Sequence, residues 1–511
     1  MKVLLIYPNF RGMNMLPPAI ALFTAILRKK GHKVALFDST DYPNPEDDEF
    51  DSDKYKEMNL NVRPFDDSLL KVSFKEENVF MAFQNCVDQF NPDIMAMSCT
   101  EDNVTLGLSL LKRTIHLKIP TILGGVFPTF APELAISNPG VDMVCVGEGE
   151  YVIAELCDQM EKNMPYDNIP GLWIKKNSII KRNPMGPSVD MNNNPFLDLS
   201  VFNEGRLYRP MQGKVWRMFP LETHRGCPYQ CAYCNSPTQS VKYRNETGSS
   251  FFRKKQISKI REEIIHFRDN YKVEAFYFWA DTFFAYTEKE FDEFVEMYSE
   301  FKMPFWCQTR PETVTFNRVK SLADVGMFRM AIGIEHGNEE FRRKVIGRSV
   351  KNETIIESLR IINDVGVPFS VNNILGFPYE TRELTFDTIE LNRHIEADSM
   401  NAYSYSPFHG TPLRKVSEKE GYIKPNVIAR SLTKPTILNM PQYTPDQIEG
   451  MRRCFVLYVK LPKGRWPEIE RAEKLDAEGL KIWTEIRNEV NDKYMNFDDD
   501  VISKNVNIVS Y

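Results

Sequence analysis

The fold is decided by the segment H-R-G-C-P-Y-Q-C-A-Y-C-N at residues 224–235. Its three cysteines have C-x3-C-x2-C spacing in one short loop, which can turn three thiolates toward a common point. Three thiolates without an obvious fourth ligand suit an iron–sulfur cluster with one iron open. A structural zinc site needs a fourth Cys or His at a comparable spacing, and His224 lies too close to Cys227 for that. The loop has neither helical nor strand periodicity, which disfavours three cysteines buried in a core.

This spacing resembles the signature of the radical S-adenosylmethionine (SAM) enzymes. The resemblance implies that Cys227, Cys231 and Cys234 hold a 4Fe-4S cluster whose open iron is chelated by the amino and carboxylate groups of SAM. Tyr233 occupies the position before the last cysteine, where that family usually has an aromatic residue, and is therefore expected at the SAM site.

Composition sets limits on the function. The 511 residues are enough for two or three domains. With 64 basic and 70 acidic side chains, the chain lacks the basic footprint expected of a nucleic-acid-binding protein. It has no run of about 18 apolar residues, so no membrane span is expected. Six of the nine cysteines lie singly outside the loop, which is typical of free thiols in a reducing compartment and predicts a cytoplasmic location.

Strand and helix patterns alternate along most of the chain. In residues 1–150, five short strands separated by helices predict a doubly wound, Rossmann-like α/β sheet. Residues 151–215 predict a connecting helix, a hairpin turning at 176–178 and a linker. In residues 216–413, six strand–helix units predict a partial (β/α)6 TIM-type barrel with its chemistry at the strand tips.

Glycines and small residues follow the predicted strand ends of residues 1–150, where ligands bind in such sheets. The residues concerned are Pro8, Pro17, Ser98, Thr100, Gly124, Gly125, Phe127, Pro128, Thr129, Gly147, Glu148, Gly149 and Glu150. They let a large flat ligand lie against backbone, although each glycine pair alone could be a tight turn. Together they resemble the cobalamin-binding domain that precedes many radical SAM domains, which implies that they bind cobalamin. Phe127 stands where the family's Gly-Gly-x-His-Pro-Thr stretch has histidine, so no histidine at that position can ligate cobalt.

Polar and glycine-rich groups also follow the predicted barrel strands. The resemblance places Glu335 near the SAM ribose and the turn containing Gly376 and Pro378 near the adenine. Asp281 matches one of the acidic residues common at the third strand tip of the family. Arg310 is a candidate for the SAM carboxylate, because a guanidinium fork fits a carboxylate. All five are therefore expected at the SAM site.

Substrate recognition is expected to be divided between barrel tips, such as His409, and residues 414–511. These last residues predict a helical C-terminal cap rich in aromatic side chains. They either close the barrel mouth or pack as ordinary core. One of the three arginines in the segment 337–348 is expected to reach the active site.

The resemblance implies that the reduced cluster cleaves SAM to a 5′-deoxyadenosyl radical, with cobalamin as the methyl carrier for a carbon or phosphorus of a small-molecule substrate. An external electron donor of the flavodoxin or ferredoxin type is then required. A cobalamin-assisted rearrangement, cyclisation or hydroxylation is the alternative within the family. A cofactor-carrying sensor or a zinc-stabilised binding protein is the alternative from another class, but it would not need Glu335 and Arg310 around a cysteine loop.

Overall fold

The computed structural model of the chain describes residues 1–44, 52–62 and 74–495. The sequence also predicts a polar, acidic insertion over about residues 39–74. That insertion and the end of the predicted C-terminal cap lie partly outside the described residues. Within the described ranges, no helix combines the length and apolar character needed to cross a membrane.

The first sheet has seven strands in the order β2-β1-β3-β4-β5-β6-β7, of which the first five are parallel and the last two antiparallel. The strands are Lys2–Tyr7 (β1), Lys33–Asp38 (β2), Ile94–Ser98 (β3), Thr121–Gly124 (β4), Met143–Cys145 (β5), Leu172–Lys176 (β6) and Ile179–Arg182 (β7). The doubly wound sheet predicted for this region is confirmed. The predicted hairpin, which turns at Asn177 and Ser178 with positive φ at both, adds β6 and β7 to its edge.

The second sheet has the order β16-β15-β14-β13-β12-β9-β8, and its first six strands are parallel. The strands after the first sheet are Tyr208–Met211 (β8), Lys214–Glu222 (β9), His224–Arg225 (β10), Arg253–Lys254 (β11), Ala275–Trp279 (β12), Phe305–Thr309 (β13), Met327–Glu335 (β14), Phe369–Leu375 (β15) and Ser399–Ser404 (β16). Strands β10 and β11 pair only with each other. Because β9 and β16 lie at opposite ends of the parallel run, this is the predicted partial barrel, open on one side.

Helices cover both sheets. They span Pro18–Lys29 (α1), Ser52–Met58 (α2), Val79–Phe90 (α3), Val104–Lys112 (α4), Val126–Phe130 (α5), Pro132–Ser137 (α6), Glu150–Glu161 (α7), Ser236–Thr247 (α8), Ile257–Tyr271 (α9), Glu288–Tyr298 (α10), Phe316–Asp324 (α11), Glu339–Phe341 (α12), Asn352–Val365 (α13), Arg382–Arg393 (α14), Pro412–Lys419 (α15), Pro445–Lys460 (α16), Trp466–Ala472 (α17) and Ala477–Val490 (α18).

Side chains alternate between the two faces of the barrel strands, as strand geometry requires. On β12, Phe278 contacts the ring of Phe294 in α10 on the helix side, at 5.4 Å between centroids. The intervening Tyr277 stacks on Trp306 of β13 on the inner side, at 5.9 Å. The interior of the barrel therefore presents polar and aromatic side chains, while the aliphatic and Phe residues pack against helices.

The C-terminal helices pack against the outside of the barrel. The ring of Tyr458 in α16 lies 5.3 Å from that of Phe386 in α14, and Trp483 of α18 donates its indole N–H to the carbonyl of Arg453. These aromatic side chains contribute to core packing between helices.

Candidate functional site

The three cysteines of the loop line one cavity of about 200 Å³ at the carboxyl ends of the barrel strands, here called the cluster cavity. Four of the residues predicted at the SAM site line it as well: Tyr233, Asp281, Arg310 and Glu335. Among the described residues, no three Cys, His, Asp or Glu side chains are placed to hold a single metal ion. All three thiols line this one cavity, which is the arrangement expected of ligands to a multi-iron cluster.

The cysteine loop is held in place by backbone contacts. The Ala232 N–H donates to the carbonyl of Ile346 at 2.8 Å, and the Ala232 carbonyl accepts from the N–H of Leu413 at 3.0 Å. Gly347 follows Ile346 with φ +76°, and a Cβ there would lie 3.0 Å from the carbonyl oxygen of Gln230. Two distant segments of the barrel therefore fix the loop without using its cysteine side chains.

Each cysteine sulfur has a polar neighbour. Arg310 donates from Nη1 to Sγ of Cys231 at 3.0 Å, and the Ser236 N–H donates to Sγ of Cys234 at 3.4 Å. The Thr282 hydroxyl lies 3.5 Å from Sγ of Cys227. Burial raises the pKa of the Cys234 thiol to about 12, so binding of a metal cluster there would release a proton. Three thiols on the wall of one cavity, each with a polar group beside its sulfur, fit a 4Fe-4S cluster, since hydrogen bonds to the sulfurs tune cluster potentials.

Arg310 is occupied by protein groups. Its guanidinium stacks over the ring of Tyr229 at 3.8 Å and its Nε donates to Oε1 of Glu312 at 2.7 Å. With Nη1 on Cys231, the side chain is held directly beside the cluster ligands. Its contact with the SAM carboxylate stays a prediction.

Glu335 forms a buried ion pair with Arg348. Oε1 of Glu335 lies 2.8 Å from Nη1 of Arg348, whose Nη2 donates to the Gly333 carbonyl at 2.8 Å. Burial raises the pKa of Glu335, and the guanidinium of Arg348 opposes that rise. Glu335 has φ +66°, a costly conformation for a residue with a side chain. A Cβ at Gly333 would lie 2.3 Å from Oε1 of Glu335, so only glycine leaves room for this carboxylate.

Arg348 is therefore the arginine of the segment 337–348 that reaches the cluster cavity. Arg342 is buried elsewhere, where it donates to the carbonyls of His336 and Val350. The sequence feature that distinguishes Arg348 from Arg342 is Gly347, whose positive φ turns the chain back onto the cysteine loop.

Gly376 and Pro378 do not line the cluster cavity. The N–H groups of Gly376 and Phe377 donate to Oε2 of Glu380 at 2.7 and 2.9 Å, which fixes this turn. The ring of Phe377 lies 5.9 Å from that of Tyr233. The turn thus borders the cysteine loop through Phe377.

His224, the one nearby candidate for a fourth zinc ligand, faces away from the cluster cavity. Its ring lies 4.3 Å from that of Tyr286, and its Nδ1 is 2.9 Å from the Thr223 hydroxyl. Burial lowers the pKa of His224 to about 3. The side chain is a neutral packing residue here.

A second cavity, of about 340 Å³, lies between the carboxyl ends of the first sheet and the strands β9 and β12, and is here called the cobalamin cavity. Eight of the residues predicted to bind cobalamin line it: Ser98, Gly124, Gly125, Thr129, Gly147, Glu148, Gly149 and Glu150. Five do not: Pro8, Pro17, Thr100, Phe127 and Pro128. From the barrel side, Pro220, Glu222 and Trp279 complete the wall.

Phe127 and Thr100 do not line the cobalamin cavity, and each contacts another residue. Phe127 is 1% exposed and its ring meets that of His409 edge-on at 5.8 Å. The Thr100 hydroxyl is hydrogen-bonded to Asp102. His409, predicted to contact substrate, is instead bound to Glu101 through Nδ1 at 2.7 Å and through its N–H at 2.7 Å. It joins the first sheet to the barrel.

The acidic residues of the cobalamin cavity are held by Arg225, a residue that the sequence did not single out. Arg225 Nη1 lies 2.6 Å from Glu148 and 2.7 Å from Glu150, and Nε lies 2.9 Å from Glu222. Two residues separate Glu222 from Arg225, and Cys227 follows two positions later. Charge-paired bonds therefore connect the first sheet directly to the start of the cysteine loop.

The lining of the cobalamin cavity suits a large, flat, mainly apolar ligand. It contains backbone at four glycines, the exposed ring of Trp279, and no histidine among the lining residues. A Cβ at Gly124 would lie 3.7 Å from Cβ of Cys145, which is ordinary van der Waals contact, so the backbone there is not crowded. The residues present fit cobalamin bound without a histidine on cobalt.

Comparison with protein families identifies two domains in the chain. Residues 221–391 match the radical SAM superfamily, and residues 75–157 match the B12-binding domain. The chain contains a radical SAM domain and a B12-binding domain. Both parts of the predicted family are thereby confirmed, and the two domains imply a 4Fe-4S cluster, SAM and cobalamin as cofactors.

Named relatives of this B12-binding radical SAM protein cover most of its length. An uncharacterized methyltransferase of Pyrococcus horikoshii is 24% identical over 76% of this chain and 83% of its own. The cytidylyl-2-hydroxyethylphosphonate methyltransferase of Streptomyces wedmorensis is 19% identical over 83% of this chain and 82% of its own. The structure of the radical SAM methyltransferase TsrM of Kitasatospora setae, with cobalamin and the cluster bound, superposes with a TM-score of 0.65 at 14% identity. It covers 98% of this chain and 99% of TsrM, and shows that the two share a fold.

Proposed function

We propose that this protein is a cobalamin-dependent radical SAM methyltransferase that methylates a carbon or phosphorus of a small molecule. The observation that carries the proposal is that residues at the end of one strand, β12, line both cavities. Trp279 lines the cobalamin cavity, and Asp281 and Thr282, at the same strand end, line the cluster cavity. Two ligands bound there would lie on either side of the β12 tip.

The residues have separate tasks in this proposal. When bound, the reduced cluster supplies the electron that cleaves SAM, and cobalamin supplies the methyl group. Cys227, Cys231 and Cys234 hold the cluster, and Arg310 donates to the sulfur of Cys231. Glu335, oriented by Arg348, provides a carboxylate that accepts hydrogen bonds from the SAM hydroxyls.

The first sheet closes the site. Its strand ends cover the cavity beside β9 and β12, and the ion pairs of Arg225 keep this cover attached to the cysteine loop. Exclusion of water protects reactive species formed inside.

The names of the relatives support methyl transfer as the reaction class, because both of those described above are methyltransferases. The six cysteines outside the cysteine loop are free thiols, which supports a reducing cell interior as the place of action. An external donor of the flavodoxin or ferredoxin type would deliver the electron.

The test is an anaerobic incubation of the reconstituted protein with SAM, a reductant and extract of the source organism. Methyl transfer by this route produces 5′-deoxyadenosine together with S-adenosylhomocysteine. Cys231→Ala serves as the control and should form neither product above background. Formation of 5′-deoxyadenosine alone by the wild type would contradict methyl transfer and favour another radical reaction.

A further inference from the structure

A third cavity, of about 340 Å³, occupies the interior of the barrel. It is lined by inward-facing side chains of β13 to β16 and is here called the lumen cavity. It shares Gln308, Ala331 and Asn372 with the cluster cavity. These three residues are here called the junction, because a molecule in the lumen cavity would meet a molecule bound beside the cluster at this point.

Strand β14 forms a floor of small side chains between Gln308 and Asn372. Ala331 of β14 is paired with Gln308 of β13, and Gly333 is paired with Asn372 of β15. Neighbouring strands lie about 4.8 Å apart, so β13 and β15 are separated by about 10 Å across this floor. The side chains of Gln308 and Asn372 therefore stand on either side of a space that β14 leaves open.

The amide of Gln308 presents a hydrogen-bond acceptor to this space. Its Nε2 donates to the carbonyl of Ala280 at 3.1 Å, which fixes the orientation of the amide. The side chain is exposed to the cavity, and its Oε1 has no partner among the described residues.

The amide of Asn372 presents a hydrogen-bond donor. Its Oδ1 accepts from Nδ2 of Asn401 at 2.7 Å, and Asn401 is 8% exposed, so this bond is sheltered from water. Nδ2, at the other end of the half-buried Asn372 amide, has no partner within the described part of the chain. The junction thus offers one acceptor and one donor, each on an amide that the protein orients.

A group bound between these two amides has to donate and to accept. A carboxylate only accepts, and an amidinium or ammonium only donates, so each would leave one amide of the junction facing a group of its own kind. A carboxamide or a hydroxyl does both. A site built on oriented hydrogen bonds rejects a mismatched group strongly, because its own polar atoms are then left unpaired.

Three charged side chains of the lumen cavity lie deeper than the junction. Trp306 and Arg329 precede Gln308 and Ala331 by two positions on their strands, which places them about 7 Å further from the cluster cavity. Arg329 is paired with Asp398, and Arg209 lies over the ring of Trp306 at 5.3 Å. The junction itself has no ionisable side chain.

The deeper wall of the lumen cavity also includes apolar surface. The ring of Trp306, stacked on Tyr277 at 5.9 Å, and the side chains of Met13 and Met15 contribute to it. No described residue beyond Tyr403 lines this cavity or the two others, so the C-terminal helices do not form the pocket.

We infer that Gln308 and Asn372 set the substrate class: the lumen cavity takes a molecule whose uncharged carboxamide or hydroxyl group binds at the junction, close to the atom that reacts. This inference rests on the proposed function, because it assigns a substrate class to that reaction.

The test compares four one-ring probes of similar size. Benzamide and benzyl alcohol donate and accept, benzoate only accepts, and benzamidinium only donates. Saturation-transfer NMR titrations of the reconstituted full chain with SAM, without reductant, give the dissociation constants. We expect at least one neutral probe to bind at least about tenfold more tightly than either ion. The neutral probe that binds more tightly distinguishes a carboxamide substrate from a hydroxyl one.

Asn372→Asp replaces the donor at the junction by an acceptor of the same shape and keeps an oxygen for Asn401. It should weaken binding of the neutral probe at least about tenfold and tighten binding of benzamidinium. Asn488→Asp makes the same change at an exposed side chain that accepts from Arg487. This matched control should bind all four probes like the wild type.

Gln308→Met removes the acceptor at the junction without adding a charge. It should also weaken binding of the neutral probe, while the dissociation constant of SAM stays at the wild-type value. Weaker SAM binding with unchanged probe binding would assign the junction to SAM and overturn the inference.

Three other results would overturn it as well: benzoate or benzamidinium bound as tightly as the neutral probes, no binding of either neutral probe, or wild-type affinity of Asn372→Asp for them. The measurement needs no turnover, so it can succeed even if the product assay shows that methyl transfer is wrong. Equally, the product assay can confirm methyl transfer while these titrations fail.

Discussion

The cluster cavity and the cobalamin cavity differ in what forms their walls. In the cluster cavity, charged and thiol side chains face the space, and specific partners fix several of them, as Arg348 fixes Glu335 and Arg310 contacts Cys231. In the cobalamin cavity, the carboxylates of Glu148 and Glu150 are bound to Arg225, and the remaining wall is largely backbone and apolar surface.

This difference shows two ways of holding a cofactor. A cluster requires covalent ligands and SAM requires polar groups, so their site depends on particular side chains. A large flat macrocycle can be held by shape, so its site depends on residues that leave room. Substitutions that remove a side chain should therefore harm the first cavity most, and substitutions that add one should harm the second.

The largest effect is expected for Cys231→Ala. Loss of one of three thiolate ligands should remove the cluster, reducing iron from about four per chain to near zero and abolishing the brown colour. Iron analysis and absorbance of anaerobically reconstituted protein measure this. Cys86→Ala, which changes a half-buried thiol of the first domain, is the matched control and should keep its iron.

Glu335→Gln is expected to have the next largest effect. It removes a charged acceptor from the cluster cavity while retaining its shape, and should weaken SAM binding by roughly 10- to 100-fold. Equilibrium dialysis gives the dissociation constant, and iron content should be unchanged. Glu340→Gln removes an exposed carboxylate that pairs with Lys344 and should leave SAM affinity unaltered; an equal loss in both variants would count against the assigned role.

Gly124→Ala tests the other half of the comparison. The nearest atom to its new methyl group lies 3.7 Å away, so the fold should tolerate it. Because Gly124 lines the cobalamin cavity, we expect the added methyl group to narrow it and to lower the corrinoid retained after desalting several-fold, with iron content unchanged. Gly464→Ala, where nothing lies within 4 Å, is the control. Full corrinoid retention in Gly124→Ala would mean that cobalamin does not rest on this surface.

The smallest effect concerns His224, beside the cluster loop but outside its cavity. Burial lowers the pKa of His224 to about 3 from 6.5, so the folded protein keeps the ring neutral. As the pH falls below 6.5 the unfolded chain takes up a proton that the folded chain refuses, and stability is lost until about pH 3. At pH 5 this costs about 2 kcal/mol.

His224→Phe should therefore reduce the loss of thermal stability between pH 7.5 and pH 5 relative to the wild type. Parallel pH profiles for the two proteins would show that His224 does not titrate in this way.

The architecture was largely predictable from the sequence, because strand–helix alternation and tip residues repeat along the chain. The parallel sheet, the hairpin at Asn177 and Ser178 and the partial barrel are all found in the structure. The cysteine loop was also predictable, since ligand spacing is local. The gathering of Asp281, Arg310 and Glu335 in one cavity followed from the rule that parallel strand tips meet at one end.

What the sequence did not show depends on contacts between distant segments. Arg225 binds Glu148 and Glu150 across the two domains, and nothing local to any of them indicates that pairing. The rings of Phe127 and His409 pack against each other between the domains. Phe127 is buried there, although its position in the motif predicted that it would contact cobalamin. The cavity inside the barrel is lined by alternating side chains of β13 to β16 and has no motif of its own.

The most direct test of the account is the cofactor content of the full chain after anaerobic reconstitution with iron, sulfide and cobalamin, followed by desalting. We expect about four irons and about one corrinoid per chain, with the corrinoid reduced several-fold in Gly124→Ala and the iron lost in Cys231→Ala. A colourless protein that carries zinc, or one that holds iron but retains no corrinoid, would contradict the account.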